Sequence, residues 1–144
     1  MSLRFPMLMA LLALPFSLTQ FDCDGGDDDG DPRTAETDLG NHWVVYAPSP
    51  DPIPVGEVFS LDVSVYDNVD RTTLEPGVSL TIDAEMSAMG HGMNTVPTVT
   101  SNGDGTFRVD NMHFSMEGQW EIYVGVLSEL GTETATFIVD CCEG

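Results

Sequence analysis

The sequence has no lysine and only four arginines, against 24 acidic residues, for a formal charge of -20 over 144 residues. So little positive charge excludes a nucleic-acid binder and a domain that docks on anionic lipid headgroups, because both need a basic footprint. The favoured partners are metal ions, other cations or basic proteins. Six of the aspartates fall between Asp22 and Asp31, so part of the charge is tail. From His42 to Asp140, 15 acids still face only Arg71 and Arg108, a net -13.

Long apolar runs are scarce too. The longest, Phe5 to Leu18, has 14 residues, too few to span a bilayer. It follows Arg4 and has the length of an export-signal core. Residues 1–20 are therefore predicted to be a signal peptide, although no Ala-x-Ala cleavage site follows. The expected location is outside the cytoplasm: periplasmic, secreted or lipid-anchored.

Cysteine is limited to Cys23, Cys141 and Cys142, none inside the predicted sheet. In an oxidising compartment Cys23 can bridge to Cys141 or Cys142. The alternative is acylation of Cys23, which would be the only attachment to a membrane. Phe21 and Asp22 are not the small residues that precede an acylated cysteine, whereas the Asp-rich stretch behind Cys23 resembles a tether.

Catalytic motifs are missing. There is no nucleophile elbow, no phosphate loop and no Cys/His pairing, and His42 beside Trp43 shows no partner. Cys141-Cys142 is adjacent rather than Cys-x-x-Cys, so no zinc signature exists. Asp24 to Asp31 lacks the alternation and terminal glutamate of a calcium loop and reads as a solvated charge run. The chain is not expected to be an enzyme.

What is present is alternation. Residues 21–41 are polar and low in complexity, a predicted disordered linker. From 42 to 140 the pattern is β. Trp43-Val44-Val45-Tyr46 is a short β-prone run ended by prolines. Phe59, Leu61, Val63 and Val65 share one face, as do Val78, Leu80, Ile82, Ala84 and Met86. Thr95 to Thr100 is a weaker strand at an edge, and Asn102-Gly-Asp-Gly105 signals a tight hairpin. Phe107 and Val109 share a face, then the phase slips by one so that Met112, Phe114 and Met116 align. A bulge near Asp110-Asn111 would do this. Trp120 to Val126 and Ala135 to Val139 alternate cleanly. About seven short strands and no helical period predict an Ig-like antiparallel β-sandwich, with 141–144 as a Cys-containing tail.

The remaining signal is sulfur. Met86, Met89, His91 and Met93 lie within eight residues, with Gly90 and Gly92 around the histidine. Met112, His113 and Met116 follow downstream. Thioethers favour Cu(I) and imidazole binds both oxidation states of copper, so Met89, His91 and Met93 are the primary candidate ligands. Met86, Met112, His113 and Met116 are candidates to complete the shell. Met86, Met112 and Met116 also continue core-facing phases, so plain packing is the competing reading for them. On that second view the domain is an envelope protein-protein interaction module that binds no metal.

Taken together, Met86-x-x-Met-Gly-His-Gly-Met93, Pro97, Gly103-Asp-Gly-Thr-Phe107 and Met112-x-Phe-x-Met-x-Gly-x-Trp-Glu-Ile122 resemble the YtkA-like domain family, related to FixH-type proteins. The resemblance covers about Val55 to Val139. It implies an Ig-like sandwich outside the cytoplasm, often lipid- or membrane-anchored, with a link to copper handling suggested for relatives. Ser87 and Glu117 stand where members often carry proline.

Overall fold

The computed structural model describes residues 31–141. The predicted signal at 1–20, the predicted linker up to residue 30, Cys23 and Cys142 lie outside the described residues. Nine strands form: β1 (Thr34–Glu36), β2 (His42–Ser49), β3 (Val58–Asp67), β4 (Ser79–Met86), β5 (His91–Gly92), β6 (Thr98–Ser101), β7 (Thr106–His113), β8 (Gly118–Ser128) and β9 (Gly131–Cys141). One sheet runs β1-β2-β3-β7-β6 and the other β5-β4-β8-β9. Every ladder is antiparallel, and no helix occurs among the described residues.

The alternation read from the sequence is what closes the two sheets. Leu61, Val63 and Val65 of β3, Val109 of β7, and Trp120, Ile122, Val124 and Val126 of β8 are fully buried between them. Phe114 stacks on Trp120 at 4.5 Å and 10°, and Phe59 meets Phe114 edge-on at 4.9 Å.

The expected bulge is present. Leu61 pairs with Val109 but Phe59 pairs with Met112, so β7 carries one extra residue at Asp110-Asn111. Asn111 takes up the extra residue in the left-handed region, at φ 67°. The slip turns Met112 and Phe114 inward, both fully buried, and leaves His113 on the outer face.

Three expectations need correction. The strands are nine rather than about seven, because β1 and β5 are too short to show a period of their own. The folded body starts before His42: β1 lies in the stretch expected to be linker, where Thr34, Ala35 and Glu36 pair with Val45, Val44 and Trp43. Backbone pairing holds it although its side chains bury little. Cys141 is not in a tail; it is the last residue of β9, buried and opposite Gly118. It is disulfide-bonded, to a partner outside the described residues.

The β3–β4 connection is built on carboxylates that accept backbone amides. Asp67 Oδ1 accepts from Val69 N (2.8 Å), and Asp70 accepts from Thr72 N and Thr73 N (both 2.9 Å) and from the Thr73 hydroxyl (2.5 Å). The Thr73 hydroxyl and these amides hold the Asp70 carboxyl down at about 2, against an ordinary 3.8. A depressed carboxyl stabilises the fold above its unfolded pKa and loses that effect as pH falls through the folded one. Asp70→Asn is therefore expected to flatten the acid limb of the stability profile between about pH 4 and pH 2, read by urea unfolding at stepped pH. An unchanged limb would show that the turn is indifferent to the charge.

Candidate functional site

The sandwich has two ends. At one, β4 finishes at Met86, β7 at His113 and β9 at Cys141, and β3 and β8 begin. At the other lie the β6–β7 and β8–β9 hairpins and the β3–β4 connection.

The Met/His stretch is itself a hairpin at the first end. Met89 N donates to Met86 O (3.0 Å), Gly90 turns the chain at φ 66°, and β5 pairs back with Met86↔His91 and Glu85↔Gly92. Met93 N then donates to Ala84 O at 3.3 Å. Ser87 anchors the turn: its hydroxyl donates to Glu121 Oε2 (2.8 Å), which also takes the Tyr123 hydroxyl. That bond holds the Glu121 carboxyl below its usual range and pushes the Tyr123 phenol up.

From Met93 the chain crosses to the other sheet, stitched to the bulged strand. Thr95 Oγ1 donates to Asn111 O (2.7 Å), and Asn111 Nδ2 donates to Val96 O (2.9 Å). Asn94 Oδ1 lies 2.6 Å from His113 Nδ1. An amide oxygen can only accept, so the proton of this bond sits on Nδ1. Nε2 of His113 is then the free ring nitrogen.

The seven candidate ligands separate into two groups. Met86 (5 % exposed) and Met112 (fully buried) are core side chains. The Met86 methyl lies where a Cβ on Gly118 would come within 2.6 Å, so Gly118 is the space that Met86 fills. Met89 and His91 are exposed, and Met93, His113 and Met116 are half-buried; Met93 and Met116 also pack on the core. The Met116 carbonyl accepts Trp120 Nε1 at 3.0 Å, which fixes the β7–β8 turn. Gly118→Ala puts a methyl against Met86 at a residue with φ 131°. It is expected to cost about 2 kcal/mol in urea unfolding, from overpacking and backbone strain together. A loss under about 0.5 kcal/mol would mean that Met86 has room to move.

Among the described residues no three His, Cys, Asp or Glu side chains converge as a metal-holding group. Beside the carboxylates of Glu85 and Glu121, which are engaged by the Ser87 and Tyr123 hydroxyls, this end carries two imidazoles and several thioethers, donors that suit a soft ion rather than a hard one.

Sequence reasoning did not find Asn94 as the partner of His113. It also missed the partner of His42, which is Glu133: His42 Nδ1 and Glu133 Oε2 are 2.5 Å apart, and both residues are buried at the opposite end.

Comparison with curated proteins gives no match. Among solved structures, FetP of uropathogenic E. coli strain F11, 'as isolated' after recombinant expression in the periplasm of E. coli BL21(DE3), is similar with a TM-score of 0.42 and 11% identity, covering 74% of this chain and 94% of that one. The YtkA-like family model matches residues 40–125, more than half of the chain and all of the stretch from β2 to the middle of β8. The chain belongs to the YtkA-like family.

Proposed function

We propose that this is a non-enzymatic, extracytoplasmic domain that binds Cu(I) through Met89, His91 and Met93, with His113 and Met116 completing the donor set. Met86 and Met112 serve as packing beneath it. The observation that carries the reading is the Asn94–His113 bond. It ties the residue next to Met93 to the second sequence cluster and, in the neutral ring, puts the lone pair of His113 on Nε2, the atom then open to a metal. The disulfide at Cys141 supports an oxidising compartment, in keeping with the predicted signal.

Competition with a Cu(I) chelator under reducing conditions tests it. The parent should take up one equivalent of Cu(I). His91→Ala plus Met93→Ala should weaken it by at least about tenfold, 1.4 kcal/mol being a factor of ten. A double variant that competes as the parent does would overturn the assignment. Intact-mass analysis of the mature chain, reduced and unreduced, reports on export and on the fate of Cys23. A second reading, docking of an envelope protein, draws on Val58 and Val96, which stand 56 % and 81 % exposed at the same end.

A further inference from the structure

The opposite end of the sandwich holds a cleft of about 370 Å³ that the Met/His loop does not touch. His42, Asp67, Glu75, Glu129, Val69 and Leu130 line it. Behind it, Glu133 accepts from Asn41 Nδ2 at Oε1 (2.8 Å) and meets His42 Nδ1 at Oε2 (2.5 Å). The His42 side chain is 4 % exposed. Its Nε2 makes no hydrogen bond to the described residues and is not sealed from solvent, and His42 is one of the residues lining the cleft. Glu75 and Glu129 form no ion pair or side-chain hydrogen bond with the described residues.

The cleft therefore offers acceptors: two unengaged carboxylates, Asp67, and, in the neutral ring, the Nε2 lone pair. A ligand must bring positive charge and several donors. These acids do not converge with His42 as a metal-holding group, so a bare ion is the poorer fit. A guanidinium, with its planar fork of N–H groups, is the better one. The collar points to where it comes from. Val69 and Leu130 at the mouth are 95 % and 69 % exposed, and Leu39 beside it is 66 % exposed. Among the described residues nothing packs over most of the surface of these apolar side chains. They suit the aliphatic flanks of a protein segment better than a small free cation.

We propose that this cleft is a docking site for an arginine side chain of a partner protein, flanked by apolar residues. The charge of the domain steers such a segment toward it. Glu75 and Glu129 receive the guanidinium, His42 Nε2 accepts one of its N–H groups, and Val69 and Leu130 cover the neighbouring aliphatics.

The test uses the full chain, 15N-labelled, at pH 8 and low salt. Three probes are titrated: acetyl-Leu-Arg-Leu-amide, the same peptide with citrulline for arginine, and agmatine. The arginine peptide should shift the amides of His42, Glu75 and Leu130 saturably. Citrulline, isosteric but uncharged, should bind about tenfold more weakly, and agmatine should also be weaker for want of apolar contact. Glu75→Gln plus Glu129→Gln, both accessible enough to leave the fold intact, should weaken the arginine peptide by about the same factor. Equal binding of the citrulline peptide, or indifference to the double substitution, would overturn the site. Agmatine binding as tightly as the peptide would overturn the protein partner.

Discussion

Trp120→Ala should remove about 4 kcal/mol of folding stability, read as a drop in the urea midpoint at unchanged slope. Trp120 is fully buried, faces Phe114 in a parallel stack, and closes the apolar layer between the sheets at the end where β8 begins. Its loss removes the largest buried side chain and leaves a cavity that Phe59 and Phe114, locked edge to face, cannot fill. Domains of this size are stable by about 5–15 kcal/mol, so the variant would stand near the threshold of folding. Trp120→Phe separates the two parts of the effect. It keeps most of the apolar volume but strands the Met116 carbonyl, for about 1–2 kcal/mol. It should also loosen the β7–β8 turn, which a weaker Cu(I) competition would register. If Trp120→Ala cost less than about 1.5 kcal/mol, this stack would not be a main support of the core.

The second large effect is at Glu133. Glu133→Ala leaves His42 buried without its partner and Asn41 without its acceptor, and the expected cost is about 3–5 kcal/mol. Removing both charges together is a different experiment. His42→Leu plus Glu133→Leu replaces the pair by apolar groups and should lie near neutral or slightly above the parent, because the desolvation of two buried polar groups disappears as well. A double-mutant cycle at neutral pH therefore predicts strong coupling between the two positions. Additive losses would show that the short contact between them contributes little. The cycle bears on docking as well: the double leucine variant should fold yet lose the response of the cleft to the arginine peptide.

The same pair shows why part of this molecule could be read from its sequence and part could not. Strict alternation in β3, β4, β8 and β9 located the core, and the slip of phase between Val109 and Met112 located the bulge that the structure has. Those signals are local. His42 and Glu133 are 91 positions apart, and nothing local links them. A trace existed all the same: Glu133 continues upstream the inward phase of Ala135 and Phe137, and His42 does so for Val44 and Tyr46. Two polar residues at inward positions ask for each other. At the Met/His end the pattern placed Met86 and Met112 both in a core phase and among candidate ligands, and burial puts them with the core. Asn94 carried no periodic signal, because it sits in a crossing between sheets, where hydrogen bonds decide position and hydrophobicity does not. β1 was hidden for a related reason: a three-residue edge strand held by backbone pairing leaves almost no mark on composition.

Pro32 and Arg33, just before β1, line one cleft together with Asp140 and Cys141, the last residues of β9. First and last strands so close at one corner mean that order along the chain is not what defines this body. A permuted version of this body, the start of β1 joined to the end of β9 by a short polar linker and the chain newly opened at the exposed Gly103-Asp104 turn, should keep the nine-strand register. The same proximity would let the domain be spliced into a loop of a host protein without stretching either one.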